Sequence, residues 1–244
     1  MAVILELASV NFSAQDRKIV QDMCVNFEKS KITAIVGPSG SGKSTVLKLA
    51  AGLLVPDNGE VLYNGKNIAL MNWNENLEFR REAAFVFQDS ALWSNQDLDQ
   101  ILELPLKIHY PQMTKAQRAQ RIKEVAAEAG YKKALNIRPS KLSMGEQKLI
   151  AFARAMLCNP SLMFLDEWVE SLDETSATKL IDVVKRKKRE GSSIIFVCHD
   201  MRIIRDLADY VLVIVDGKEA FEGTKEEILN SSELSNYLKM EIAV

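Results

Sequence analysis

A glycine-rich loop followed by lysine and serine is the part of this sequence with the clearest chemistry. Residues 37–44 match the pattern G-x-x-x-x-G-K-[ST] at every fixed position. The glycines let backbone N–H groups converge on phosphate oxygens, and the start of the next helix favours an anion. In such loops the lysine, here Lys43, reaches the β- and γ-phosphates, and the hydroxyl of Ser44 ligates Mg²⁺. The candidate nucleotide-binding residues are Gly37, Pro38, Ser39, Gly40, Ser41, Gly42, Lys43, Ser44 and Thr45.

The residues on either side of this loop predict the strand and helix that a phosphate site needs. Ile32–Val36 is a short apolar run rich in β-branched residues, which is typical of a buried strand. Thr45–Ala51 has the composition of a helix, and Gly52 is suited to end it. This strand–loop–helix order distinguishes a phosphate-binding loop from a chance glycine turn.

Two adjacent carboxylates follow another apolar strand. Residues 162–165 lead into Asp166 and Glu167, so both acids lie at the carboxyl end of the strand, where ligands of open α/β sheets bind. Because like charges resist sharing one site, the two acids need different roles. Asp166 is suited to the surroundings of Mg²⁺, and Glu167 is placed to orient or deprotonate a water that attacks the γ-phosphate.

Gln88 and His199 each follow an apolar strand, at 83–87 and 194–198 respectively. An amide oxygen can ligate Mg²⁺ or its water, and an imidazole can hydrogen-bond the γ-phosphate. Taken alone, either residue is more often a structural side chain at a strand end. Together with the loop and Glu167, both become candidates for the same site.

The composition is that of an ordinary globular chain. It has 244 residues, of which 26% are charged and 47% hydrophobic, and its net charge of −2 gives no reason to expect nucleic acid as a partner. No apolar run approaches the ~20 residues of a membrane helix, and the first residues show no signal-peptide pattern. Cys24, Cys158 and Cys198 are scattered, so we expect three buried cysteines in a reducing, cytoplasmic compartment.

Strand and helix signals alternate along the chain, which predicts an α/β fold with a parallel sheet. Residues 1–30 indicate an antiparallel flap, and Asn64–Gly65 is a hairpin signal. A capping box at Thr114–Gln117 begins a helix with one apolar stripe. Later segments continue the alternation, with strands at 162–165, 193–198 and 210–215 and helices at 175–190 and 201–208.

The helical signals are concentrated in one interval, which predicts an insertion. We expect a single domain over residues 1–244, in which residues 1–95 and 160–244 form the core with its flap. Residues 96–159 form the inserted helical subdomain in this prediction.

Six short motifs, in order, resemble those of the ATP-binding-cassette (ABC) ATPases. They are the Walker A loop Gly37–Thr45, Gln88 of the Q-loop, the signature Leu142–Gln147, the Walker B strand Leu162–Glu167, the D-loop Ser171–Asp173 and the switch histidine His199. The resemblance covers essentially the whole chain. It implies a P-loop NTPase with a RecA-like core, an antiparallel β flap and a helical signature subdomain. It also implies an enzyme that hydrolyses ATP to ADP and phosphate.

The resemblance further implies a head-to-tail dimer, either a homodimer or a pair with another ABC ATPase. In that dimer Ser143 and Gly145 of one subunit cap the ATP held by the loop of the other, from the start of a helix, where an anion is favoured. ATP and Mg²⁺ are the implied ligands, and integral membrane permease subunits are the implied partners. The implied site residues are Glu167, His199 and Lys43 for catalysis; Ser44, Gln88 and Asp166 for Mg²⁺; and Gln88, Ser143, Gly145 and Phe12 for ATP.

Several positions depart from the family pattern. Met144 and Glu146 stand where the signature usually has its first glycine and its glutamine, and Trp168 replaces a proline. A side chain at Met144 would crowd the approach to phosphate or force a backbone angle that glycine tolerates better. Ordinary packing variation is an equal alternative for Met144 and Trp168. Ala14 stands where an aromatic usually stacks on adenine, which leaves Phe12 as the nearest candidate.

The segment after the Q-loop indicates a class of cargo. In the family, a membrane partner docks near this segment, which here is Asp89–Trp93 followed by Ile101–Leu106. The pattern Phe-Gln-x-x-Ala-Leu at 87–92, with the aromatic Trp93 next, resembles the ATPases of the mammalian-cell-entry (MCE), Mla-type lipid transporters, as do Gly223–Leu229 and Tyr237–Leu238. Arg138–Ser140 before the signature resembles instead the lipoprotein-release and macrolide-efflux branch. Both resemblances favour transport of lipids or other hydrophobic substrates at the cell envelope, with the ATPase peripheral on the inner face of the membrane. The plain alternative is that Leu92 and Trp93 only pack the helical subdomain.

Two other classes of function stay open. One is a soluble ABC ATPase that acts in assembly, like the iron–sulfur scaffold ATPases, without a membrane partner. The other is a nucleotide-binding regulator without turnover, which Met144 would favour. The basic run at 185–189 ends an amphipathic helix, so we expect it to form a solvated face and not a nucleic-acid site.

Overall fold

The computed structural model describes residues 2–230, and the chain divides into two compact units. The first unit comprises Met1–Asn76 and Gly191–Val244, and the second comprises Leu77–Glu190. The strands are β1 (Val3–Ala14), β2 (Arg17–Glu28), β3 (Ile32–Val36), β4 (Asn58–Tyr63), β5 (Lys66–Asn67), β6 (Ala83–Val86), β7 (Leu162–Asp166), β8 (Ser193–Val197), β9 (Tyr210–Val215) and β10 (Lys218–Thr224). The helices are α1 (Lys43–Ala50), α2 (Trp73–Glu82), α3 (Leu98–His109), α4 (Lys115–Glu128), α5 (Met144–Met156), α6 (Glu174–Arg189), α7 (Met201–Leu207) and α8 (Lys225–Asn230). Tyr237 and Leu238 lie outside the described residues.

An antiparallel sheet in the first unit has the strand order β2-β1-β4-β5. In β2 the side chains of Met23, Val25 and Phe27 are buried in strict alternation, as expected of a strand with one face on the core. Asn64 and Gly65, both with positive φ (48° and 77°), form the two-residue turn between β4 and β5. The predicted flap and hairpin are therefore confirmed.

A mainly parallel sheet in the first unit carries the phosphate loop. β3 pairs in parallel with β8 on one side and β9 on the other, and β10 pairs with β9 in the antiparallel sense. Every residue of β3 and β8 is buried, because parallel strands are covered on both faces and use continuous apolar runs. The predicted strands and helices after residue 160 agree with the observed ones to within two residues.

In the second unit two parallel strands accompany a group of helices. β6 pairs with β7, with Ala83 opposite Leu162 and Val86 opposite Leu165. The predicted capping box of α4 is present, since the Thr114 hydroxyl accepts from the Gln117 N–H at 3.3 Å. The predicted division, with residues 1–95 and 160–244 as the core and 96–159 as the helical subdomain, has other bounds than these two compact units and stays a prediction.

The expectation of three buried cysteines is wrong for Cys24. Cys198 is buried and Cys158 half-buried, but Cys24 is exposed. The cause is the alternation of β2, in which the neighbours Met23 and Val25 face the core and Cys24 therefore faces outward.

The basic run at the end of α6 is only partly solvated. Arg186 pairs with Glu128 and, at 3.3 Å, with Glu190. Lys187 is buried, and its ammonium donates to the side chains of Asn159 and Glu190. The expected solvated face is thus wrong for Lys187, because acceptors within the same unit replace water.

Helix α2, strand β10 and helix α8 were not predicted from the sequence. In α2, Phe79 is the one fully buried residue, so the apolar stripe that normally marks a helix is missing. Among residues 2–230, no helix combines the length and apolar character that a bilayer span requires.

Candidate functional site

The loop between β3 and α1 curls around its own lysine. Lys43 is buried, and its Nζ donates to the carbonyl oxygens of Gly37 at 2.5 Å and Pro38 at 2.9 Å. Helix α1 begins at Lys43 directly after Gly42, which adds no side-chain cap of its own. The loop thus places a cation and the first turn of a helix at one point, which is the arrangement that binds phosphate.

The glycines of this loop are required by its geometry. Gly37 has φ +145°, and a Cβ there would lie 2.0 Å from the carbonyl oxygen of Ile214. Gly42 has φ +99°, and a Cβ there would lie 2.9 Å from the carbonyl oxygen of Ile19. The buried hydroxyl of Ser41 has no hydrogen-bond partner among the described residues. A tight loop with a buried lysine and an unsatisfied hydroxyl fits a bound oxyanion such as a nucleotide phosphate.

The two predicted carboxylates occupy different environments at the end of β7. Asp166 is 1% exposed, whereas Glu167 is half-buried and has φ +45°, an angle that non-glycine residues seldom adopt. Backbone strain of this kind is typical of functional positions. The structure thus separates the two acids, as their different predicted roles require.

Trp168 holds the turn that presents Glu167. Its side chain is fully buried and stacks on Phe152 of α5, with ring centroids 5.8 Å apart. Its indole Nε1 has no hydrogen-bond partner among residues 2–230. The aromatic that replaces the family's proline is therefore a packing residue between the carboxylate turn and the signature helix.

Gln88 lies on an exposed loop two residues after β6. Its Nε2 lies 3.5 Å from the Oε2 of Glu170, and its backbone carbonyl accepts a hydrogen bond from Lys148. The loop continues through Ser90 and Ala91, which have φ of 64° and 44°. The second unit thus gathers Gln88 and Glu170 near the signature helix.

The signature residues form the capped start of α5. Ser143 is the N-cap, its Oγ accepting from the Glu146 N–H at 3.2 Å, while Glu146 accepts from the Ser143 N–H at 2.9 Å. Glu146 also pairs with Lys133, and that hydrogen bond holds the pKa of the Glu146 carboxyl below its usual range, with the Ser143 N–H contributing. A glutamate at this position completes a capping box. The prediction that Ser143 and Gly145 begin a helix is confirmed.

Met144 is accommodated without backbone strain. It is the first residue of α5, it is absent from the residues with positive φ, and it is 71% exposed. Gly145, by contrast, has little room, because a Cβ there would lie 3.0 Å from the Ser171 carbonyl oxygen. The glycine that the chain retains in its signature is therefore the one with the tighter surroundings.

The remaining predicted site residues lie on separate elements. His199 is exposed, two residues after β8 in the first unit. Phe12 is half-buried in β1, opposite Val20 of β2. In the second unit Asp173 is the N-cap of α6 and accepts from the Ser176 N–H.

Lys148 and Glu170 were not predicted. The sequence did carry a signal for Lys148, because this lysine stands on the apolar face of a predicted helix, among residues that are buried.

A glycine loop between a parallel strand and a helix, and a strand that ends in two acids, are each typical of a phosphate-loop nucleoside triphosphatase. A family model described as ABC transporter matches residues 20–170. The intermembrane phospholipid transport system ATP-binding protein MlaF of Haemophilus influenzae is 33% identical over 95% of this chain and 88% of its own. The methionine import ATP-binding protein MetN of Corynebacterium jeikeium is 29% identical over 87% of this chain and 57% of its own. The oligopeptide transport ATP-binding protein OppF of H. influenzae is 28% identical over 89% of this chain and 67% of its own.

Solved structures agree with these relatives. The dimeric post-hydrolysis state of the ATP-binding cassette MJ0796, bound to ADP and Pi, has a TM-score of 0.83 at 27% identity and covers 90% of this chain and 98% of that one. The chain belongs to the ABC transporter family. It is the ATP-binding subunit of an ABC transporter, and it is an ATPase. The predicted family, fold class and enzyme class are thereby confirmed.

Proposed function

We propose that the chain hydrolyses ATP with the residues that the sequence singled out. The phosphate loop carries this proposal, because its glycines, its buried Lys43 and its unsatisfied Ser41 hydroxyl fit an oxyanion. The roles that we propose are phosphate binding by Gly37, Pro38, Ser39, Gly40, Ser41, Gly42, Lys43, Ser44 and Thr45; Mg²⁺ binding by Ser44, Gln88 and Asp166; hydrogen bonding to the γ-phosphate by His199; and adenine stacking by Phe12.

Glu167 is the general base in this proposal. Its carboxylate orients the attacking water and accepts its proton, a contribution of roughly 10²–10⁴-fold in rate. Lys43 stabilises the charge on the phosphate oxygens, and His199 donates to the same group. Bound Mg²⁺ would neutralise charge between the β- and γ-oxygens. The strained backbone at Glu167 and the packing of Trp168 support a fixed orientation of the carboxylate.

The same proposal includes a head-to-tail pair of ATPase subunits, of this chain or with a related one. Ser143 and Gly145 of one subunit cap the nucleotide that is bound to the loop of the other. The exposed, capped start of α5 supports this role, because a helix N-terminus favours an anion. The dimeric state of the MJ0796 cassette is a further support. In this proposal ATP makes its full set of contacts only in the paired state. Its binding therefore shifts the population toward that state.

We propose that the pair drives transport of lipids or other hydrophobic molecules through integral membrane permease subunits, from the inner face of the membrane. Similarity to a phospholipid transport ATPase over 95% of the chain supports this choice. Trp93, which is 46% exposed beside the Q-loop, supplies an apolar surface for a membrane partner. The methionine and oligopeptide ATPases, at 29% and 28% identity, define the competing cargoes.

Affinity purification from detergent-solubilised membranes tests the transport role. We expect a multi-spanning membrane protein to co-purify with the wild-type chain and to be lost from a Trp93→Ala variant, while exposed Trp73, changed to Ala, serves as the control. Recovery of soluble scaffold proteins alone would instead support the assembly-type ATPase. The ATPase rate of the purified complex with phospholipid vesicles, methionine or a short peptide then separates the cargoes. Stimulation by methionine or peptide alone contradicts the lipid proposal.

A further inference from the structure

One lysine in the signature helix is buried. Lys148 lies in the second turn of α5 and is 4% exposed. A lysine is almost never fully buried unless its ammonium is paired, because an isolated charge is costly in the protein interior. The partners of Lys148 therefore indicate its purpose.

The partner of its ammonium belongs to the Q-loop. The Lys148 Nζ donates to the backbone carbonyl of Gln88. Burial lowers the pKa of the Lys148 ammonium, and the charges of Glu170, Asp166, Glu167 and Asp89, in that order, oppose this shift. Gln88 itself reaches Glu170 with its amide, at 3.5 Å. The Lys148 ammonium thus holds the backbone of the loop residue whose amide lies beside Glu170.

A second cation of α5 holds the same loop. Arg154 donates to the carbonyl oxygens of Ala91 at 2.6 Å and Ser90 at 3.1 Å, and its guanidinium lies over the ring of Trp93. Ser90 and Ala91 have left-handed backbone angles, which persist only where the surroundings enforce them. The loop from Gln88 to Ala91 is therefore bound at two points to the helix that begins after Ser143.

We propose that Lys148 is a positioning residue for ATP hydrolysis, which joins the Q-loop to the signature helix. By holding the backbone of Gln88, it keeps the Gln88 amide in fixed relation to α5. The inference rests on the role proposed above for Gln88. It goes beyond that role because it assigns a function to a residue outside the six family motifs.

A matched pair of buried lysines supplies the first test. Lys148→Met (K148M) removes the charge and the donor, and Lys187→Met (K187M) removes an equally buried lysine whose partners, Asn159 and Glu190, lie away from the site. We expect K148M to lower kcat by up to roughly 100-fold, the effect of a misplaced catalytic group, with KM for ATP within about threefold of wild type. K187M loses thermal stability but keeps kcat.

The conservative variant Lys148→Arg tests whether a cationic donor at this position is sufficient. It retains the charge and a donor of similar reach, so kcat returns to within about fivefold of wild type. If K148M does not fold, Lys148→Gln takes its place in the same comparison. A K148M enzyme with wild-type kcat, or one whose kcat and Tm fall in the same proportion as those of K187M, overturns the proposal.

A double-mutant cycle with Gln88→Ala identifies the route of the effect. If Lys148 acts through Gln88, the double variant is no slower than Gln88→Ala alone, because coupled residues are not additive. Multiplicative losses contradict a shared route. Unchanged kcat in Gln88→Ala and in Glu167→Gln would overturn the proposed site itself. Unchanged kcat in K148M alone would overturn only the positioning role.

Discussion

The phosphate loop and the signature turn, Ser143 to Glu146, both begin a helix, yet they tolerate change differently. In the loop, backbone atoms of neighbouring strands leave no space beside Gly37 and Gly42, and a Cβ at Gly37 would overlap the Ile214 carbonyl. In the signature turn, the substituted position Met144 points outward with ordinary helical geometry. The loop keeps the family pattern at every fixed position, whereas the signature departs from it twice.

The difference shows which features of these helix starts depend on the backbone and which depend on side chains. In the role that we propose, the loop binds phosphate with its own N–H groups, so any Cβ that moves them changes the site. The signature turn depends on a cap made by Ser143 and Glu146 and on one small residue, Gly145. Met144 is neither of these, which explains how the chain retains a family signature without its first glycine.

The largest expected effect comes from a side chain and not from either turn. Glu167→Gln keeps the volume of the residue but removes its basicity, so we expect kcat to fall by roughly 10²–10⁴-fold. Binding of a fluorescent ATP analogue stays within about threefold, because the phosphate loop is unchanged. Steady-state phosphate release measures the first effect. If the variant retained a tenth of wild-type activity, Glu167 would not be the general base.

Gly37→Ala tests the backbone side of the comparison. Its Cβ would clash with a carbonyl oxygen at a positive φ, so we expect a loss of about 3 kcal/mol or more in the free energy of unfolding, together with loss of nucleotide binding. Gly40→Ala is the control, since it has φ +78° but open space around the Cβ, and it costs about 1 kcal/mol. Urea denaturation compares the two. Equal losses would mean that φ alone, and not the close contact, fixes the loop.

Two glutamates, one in each unit, are expected to respond to pH in opposite directions. Glu222 in β10 is exposed, but partial desolvation of its carboxyl, with Glu219 and Glu28 nearby, raises its pKa to about 7. The pKa of Glu222 in the folded state thus exceeds its value in the unfolded state. Its contribution to the free energy of unfolding is therefore favourable at low pH and is lost as pH rises through 7. Glu222→Gln should therefore raise the free energy of unfolding at pH 8 by about 1–2 kcal/mol, a value reduced for partial exposure, and change little at pH 4.

Glu146 in the second unit provides the opposite case. Its pKa is lowered by Lys133 and Ser143, so its contribution is present at neutral pH and is lost on acidification. Glu146→Gln should be slightly destabilising at pH 7 and neutral near pH 3. Urea denaturation over this pH range checks both variants. If the change in the free energy of unfolding depended on pH with the same sign for both variants, the opposite pKa shifts of Glu222 and Glu146 would be contradicted.

The smallest effect is expected at Met144. Met144→Gly restores the family residue but places glycine in the first turn of α5, so we expect a loss of about 0.5 kcal/mol in stability. The ATPase rate stays within about threefold, because the Met144 side chain is exposed and unstrained. A tenfold gain in rate would show instead that the methionine obstructs the approach of the nucleotide.

Much of the fold was predictable because its signals are local. The alternation of β2, the capping box at Thr114 and the Asn64–Gly65 turn each depend on a few adjacent residues. Helix α2 was missed because it buries little besides Phe79 and so lacks a stripe. The roles of Lys148 and Trp168 depend on partners 60 and 16 residues away, respectively, in Gln88 and Phe152, which no local pattern specifies.

Molar mass in solution tests most directly the claim that ATP joins two ATPase subunits. Glu167→Gln protein is measured by light scattering after gel filtration, with Mg²⁺ and saturating ATP, and again with EDTA, alone and together with its membrane partner. We predict about twice the chain mass with Mg²⁺ and ATP and the single-chain mass, 27.4 kDa, with EDTA for the protein alone. In the membrane complex we predict two ATPase subunits. A strictly monomeric variant under all of these conditions would contradict the account.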